Sequence, residues 1–119
     1  MPLAFQELVT PRGRTYVRVA ISGDFDLAEA EEFVDRFSST GPYYLKPSVS
    51  VVPRGTEYTP AARKHLLKMG EAGPTATVTT SPLVRAAVNL MLRLSGKTGK
   101  LRMFASETEA VAWLDEQLG

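Results

Sequence analysis

The chain has no cysteine, one histidine, one tryptophan and no uninterrupted apolar run long enough to span a bilayer. Without cysteine there can be no disulfides, zinc-thiolate sites, iron-sulfur clusters or cysteine nucleophiles, and a reducing compartment is permitted. With one histidine, a multi-histidine metal site or a serine-histidine pair would have to rest on His65, inside the basic run Arg63-Lys-His-Leu-Leu-Lys68. The longest apolar region, residues 82–94, is broken by Arg85, Asn89 and Arg93, and residues 1–7 carry no basic leader followed by an apolar stretch. Neither membrane spanning nor secretion is expected, which leaves the cytoplasm. Catalytic signatures are missing too. There is no Gly-x-Ser-x-Gly elbow and no glycine-rich dinucleotide fingerprint. Gly96-Lys97-Thr98 matches only the tail of a phosphate-binding loop, because Met91 stands where the first glycine is required and the stretch follows a helix, not a strand. No catalytic residue, metal or cofactor is assigned, and the chain is not expected to be an enzyme.

What is present is enough for one core. A length of 119 residues with 44% hydrophobic side chains fits a single domain over 1–119, since a chain of this size buries about two-thirds of its unfolded surface. The net charge of +1 conceals a segregation of sign. From Arg54 to Arg102 nine basic residues face only Glu57 and Glu71, while the rest of the chain carries five basic and eleven acidic residues. A dipolar surface follows, made largely of solvated helix faces. Nucleic acid is not an expected partner, because no recognition motif or row of stacking aromatics accompanies the basic residues.

The periodicity predicts strands over 3–9 and 15–22, joined by Thr10-Pro-Arg-Gly-Arg14 as a hairpin. Asp26 then caps a helix over 27–37, with Glu29 at the capping-box position and Ala30, Phe33, Val34 and Phe37 on one face. Its outer face collects Glu29, Glu31, Glu32 and Asp35, as suits a solvated helix exterior with an acidic first turn. A β-branched strand over 48–52 follows the break at Ser38-Ser-Thr-Gly-Pro42. Thr59-Pro60 caps a helix through about 69, with Ala62, Leu66 and Met69 inward. Residues 75–79 make a fourth strand, Ser81-Pro82 caps a helix to about 94, and the turn over 95–99 leads to a last strand beginning at Leu101. Ser106 with Glu109 forms a capping box for the closing helix, in which Ala110, Val111, Leu114 and Leu118 recur with Trp113 beside them.

The order β-β-α-β-α-β-α-β-α favours an α/β fold: a mixed sheet of about five strands, with an antiparallel hairpin at its edge, right-handed parallel crossovers after it and about four helices. Three segments carry a resemblance: the opening hairpin into Gly23-Asp-Phe-Asp26, Val78-Thr-Thr-Ser-Pro-Leu-Val-Arg85, and Arg102-Met-Phe-Ala-Ser-Glu-Thr-Glu-Ala-Val-Ala-Trp-Leu114. Together they resemble the small SpoIIAA-like, STAS/SEC14-type domains, and the resemblance spans nearly the whole chain. It implies a SpoIIAA-like fold, and most such small proteins have no assigned activity. The anti-sigma factor antagonists of this fold carry a phosphorylated serine at the start of the helix after the central strand. Here residues 52–59 lack the Asp-Ser pair of that pattern, which leaves Thr56 or Thr59 as hydroxyl stand-ins, with Thr59 read first as a helix cap. The chain is also short for the full lipid cavity of the larger SEC14 proteins.

Topology suggests one site. In open α/β sheets, ligands gather at the carboxyl ends of strands, where helix N-termini present free N–H groups. Arg54, Thr56 and Thr59 from one such loop and Thr80, Ser81 and Arg85 from the next offer hydroxyls and guanidinium groups suited to an anion. The leading functional expectation is a regulatory or protein-interaction module acting through a protein partner, as a homodimer in the simplest case. The alternative is a module binding a small molecule, a lipid or an anion, using apolar residues such as Leu83, Val84, Val88, Met91 and Leu92, which otherwise belong to a buried helix or a dimer seam. An enzyme working with arginine, threonine or a lone acid is the third class.

Overall fold

A computed structural model describes residues 3–95 and 100–119. The chain runs β1 (Leu3–Val9), β2 (Thr15–Ile21), α1 (Leu27–Phe37), β3 (Ser48–Val51), α2 (Pro60–Leu66), β4 (Thr75–Val78), α3 (Pro82–Ser95), β5 (Leu101–Phe104) and α4 (Glu107–Leu118). The five strands form one sheet in the order β1-β2-β3-β4-β5, antiparallel between β1 and β2 and parallel thereafter. The hairpin closes with Gly13 at φ 82°, a conformation that glycine enters without the clash a Cβ would bring. Of the turn expected over 95–99, Ser95 is the last residue of α3, and 96–99, including Gly96-Lys97-Thr98, lie outside the described residues.

Strand order in space follows strand order in sequence. Each crossover therefore steps one strand further the same way, and right-handed crossovers that all step one way put their helices on one face of the sheet. That face buries Val17, Val19, Ile21, Phe25, Phe33, Val84 and Val88 beneath α1, α2 and α3. The other face is covered by α4, whose Ala110, Trp113 and Leu114 meet Tyr16, Val49, Ala76 and Val78. Alternation along β2 shows how one strand serves both layers. Val17, Val19 and Ile21 enter the three-helix core and Tyr16 the α4 core, while Arg18 reaches Glu107 at the start of α4 with 2.6 Å between Nε and Oε1.

The caps form where the residues place them, with small differences. Asp26 and Glu29 make a full capping box on α1. Ser106 Oγ accepts from the Glu109 N–H at 3.3 Å, but the Glu109 carboxylate accepts from the Ser106 hydroxyl at 3.2 Å. α2 stops at Leu66, earlier than the spacing predicts, because the chain tightens to bonds from Lys68 N to His65 O and from Met69 N to Leu66 O. Leu66 and Met69 still pack against the core, since one tight turn carries the backbone in the same direction. On α1, Val34 is only half-buried, whereas Ala30, Phe33 and Phe37 are buried.

Candidate functional site

Arg54, Thr56, Thr59, Thr80 and Ser81 lie in the segments after β3 and β4, which are adjacent strands, and Arg85 lies in the first turn of α3. Three of their four hydroxyls are committed to the fold. Thr56 is buried and donates to the Gly23 carbonyl at 3.1 Å. Thr59 accepts from the Ala62 N–H at 3.2 Å as the α2 cap and donates to Asp26 at 2.8 Å. Ser81 is buried and accepts from the Val84 N–H at 3.3 Å, capping α3. Arg54, Thr80 and Arg85 are exposed. For the two phosphoacceptor stand-ins this leaves little room, since Thr56 is enclosed and a phosphate on Thr59 would face the Asp26 carboxylate.

The space in the molecule lies elsewhere. A cavity of about 350 Å³ runs between the sheet and the layer of α2 and α3. This falls at the lower end of the range in which small-molecule pockets are found, roughly 300–1,000 Å³. Leu66, Met69, Val88 and Met91 of the helical layer form the roof, and Phe25, Phe33, Tyr58, Glu71, Lys100 and Leu101 also line the cavity. Ser50, Thr75 and Thr77 form the floor. None of the six candidate anion residues lines it.

Local chemistry builds this cavity. An isolated bridge joins Phe25 to Tyr58, with Phe25 N donating to Glu57 O at 2.9 Å and Thr59 N donating to Phe25 O at 3.0 Å. The two rings stack with centroids 4.9 Å apart, so the segments before α1 and α2 are held as one wall. Burial pushes the Tyr58 phenol above its usual pKa, which keeps it neutral. Gly73, also in the lining, is buried against the chain, and a Cβ there would sit 2.3 Å from the Leu45 carbonyl oxygen, so only glycine allows the approach. Leu45 presents that carbonyl from a left-handed backbone at φ 60°.

The floor is the feature that the loop-based reading of the sequence passes over. The signal was available in the alternation of Ser48-Val-Ser-Val51 and Thr75-Ala-Thr-Val78, which puts hydroxyls on one face of both strands. Thr75 Oγ1 donates to the Gly73 carbonyl at 3.1 Å. Ser48 Oγ is buried with no hydrogen-bond partner among the described residues. An unpaired buried hydroxyl costs about 1–3 kcal/mol, so such a row on the inner face of a sheet is expensive unless something meets it. His65 stands on α2 and does not line the cavity, and the described residues hold no group of acids and histidines that could bind a metal. No helix among them is long and apolar enough to cross a membrane. The arrangement can enclose and orient a molecule, and its described lining holds no nucleophile-base pair.

No protein-family model matches the sequence, and no curated protein matches it. Among solved structures the chain is similar to an uncharacterised protein of the DUF3478 family from Shewanella loihica PV-4, described as having a SpoIIAA-like fold. The identity is 16%, the TM-score is 0.66, and the match covers 94% of this chain and 93% of that one. At this identity the likeness speaks for the backbone, and the five-stranded mixed sheet with its four helices is a SpoIIAA-like fold.

Proposed function

We propose that the chain is a non-catalytic binding module that holds one small, largely apolar molecule in the cavity between the sheet and α2 and α3. The observation that carries this reading is the cavity itself: about 350 Å³ of space with aromatic and aliphatic walls and with the buried hydroxyl residues Ser50 and Thr77 on its floor. A packing defect would be lined by apolar groups throughout, whereas polar groups on one wall suit recognition. We place this work in the cytoplasm, where a fold that needs no disulfide is at no disadvantage.

The test is binding of the neutral fluorophore N-phenylnaphthylamine to the whole chain and to Ser50→Leu, which fills the cavity from its floor. The unaltered chain is expected to bind and enhance the fluorescence, and Ser50→Leu to lose at least tenfold in affinity while keeping its circular dichroism spectrum. Equal binding by both proteins would place the fluorophore elsewhere and remove this reading.

A second reading, a protein-interaction module working as a homodimer in the simplest case, is favoured by the outer surface of α3. Leu83 is 78% exposed and Leu90 46%. Leu90 and Met91 border a shallow groove against Pro60, Arg63, Lys64 and Leu67 of the α2 segment. Such a surface fits a partner better than it fits water.

A further inference from the structure

The cavity is apolar on its walls and roof and polar on its floor. In the parallel register of β3 and β4, Ser48 lies beside Thr75 and Ser50 beside Thr77. Four hydroxyl residues thus form two rows, while Val49, Val51, Ala76 and Val78 of the same strands face α4. Ser50 and Thr77 are 6% and 5% exposed and both line the cavity. Neither hydroxyl has a hydrogen-bond partner among the described residues. Neighbouring strands lie about 4.8 Å apart, so one oxygen placed above the pair can meet both hydroxyls.

Charge is arranged in the opposite way. Glu71 and Lys100 lie 3.8 Å apart at the mouth, with side chains 66% and 60% exposed, and each offsets the other. Among the described residues the rest of the lining is neutral. A carboxylate or phosphate entering this space would leave water and meet no free cation among the described residues, which strongly disfavours it. A carbonyl or hydroxyl would exchange its water for Ser50 and Thr77.

We infer that the molecule held here is compact and uncharged, with a carbonyl or hydroxyl oxygen seated against Ser50 and Thr77 and an apolar body against Phe25, Phe33, Val88 and Met91. This rests on the cavity reading and names the chemical class that the cavity selects.

The experiment displaces N-phenylnaphthylamine from the whole chain with four probes of similar size: methyl octyl ketone, decanol, butylbenzene and, at mildly alkaline pH, decanoate. The ketone and the alcohol are expected to displace it at concentrations about tenfold or more below decanoate. In Ser50→Ala/Thr77→Val, which removes both hydroxyls and nearly keeps their shape, the ketone should weaken by about fivefold to tenfold and butylbenzene should not. Decanoate displacing as well as the ketone would overturn the neutral class on the unaltered chain, independently of any variant. Ketone affinity unchanged in the folded double variant, or in Thr77→Val alone if the double variant does not fold, would overturn the role of the hydroxyls. Either result leaves the cavity reading standing, whereas a fluorophore that does not bind the unaltered chain takes both readings down together.

Discussion

Asp26 serves two helices. Its carboxylate accepts from the Leu27 N–H at 2.8 Å and from the Thr59 hydroxyl at 2.8 Å, while Thr59 itself caps α2. The backbone bond first, and the Thr59 bond second, hold the Asp26 carboxyl below its usual pKa. Because the folded value is lowered, this contribution to stability is fully present above the unfolded value of roughly 3.9 and is lost as pH falls through the folded value. Asp26→Asn keeps a competent cap but cannot ionise, so its stability should fall less steeply than that of the unaltered chain over that acid window. Urea midpoints followed by circular dichroism against pH check this, and parallel curves would contradict it. Half of this arrangement was legible. The spacing of Asp26 and Glu29 announces a capping box, but nothing local announces a partner 33 residues away.

At the scale of the element, α4 is where pattern and packing agree best. Ala110, Trp113 and Leu114 are buried at helical spacing, with Val111 half-buried beside them. Leu114 has no exposed surface, so Leu114→Ala should destabilise by about 2–5 kcal/mol, from lost burial and from the cavity left behind. Urea unfolding followed by the single tryptophan, Trp113, measures this directly. The substitution should leave fluorophore binding intact in the folded protein, because α4 and the cavity lie on opposite faces of the sheet. Asp115 is the departure from the pattern. A carboxylate on the inner side of an amphipathic helix reads as an error until Thr10, at the end of β1, donates its hydroxyl to it. That Thr10 also accepts from the Arg14 N–H at 3.1 Å, so the hairpin turn and the closing helix share one buried polar contact.

For the whole molecule, the segregation of charge becomes a segregation of surfaces. The acidic residues Glu31 and Asp35 lie exposed on α1, while Lys64, Lys68, Arg85 and Arg93 lie exposed along α2, its C-terminal turn and α3. Leu83, in the first turn of α3, is 78% exposed. If the chain pairs with itself there, Leu83→Glu should shift sedimentation equilibrium at micromolar concentration from dimer to monomer without altering the fold. A chain that is monomeric at those concentrations before substitution would leave α3 without this role.

Element types, caps and the antiparallel edge followed from sequence alone, because they depend on neighbours within a few residues: Pro60 after Thr59, Pro82 after Ser81, Gly13 in the hairpin turn. Helical spacing likewise marked Ala30, Phe33 and Phe37 as core. Only the tertiary structure decided the sequential strand order, the three helices on one face with α4 on the other, and the register that sets Ser50 beside Thr77. Read along either strand, those hydroxyls are ordinary alternation. They become a polar floor only when two parallel strands, separated by a helix, are brought edge to edge beneath a roof that leaves space above them.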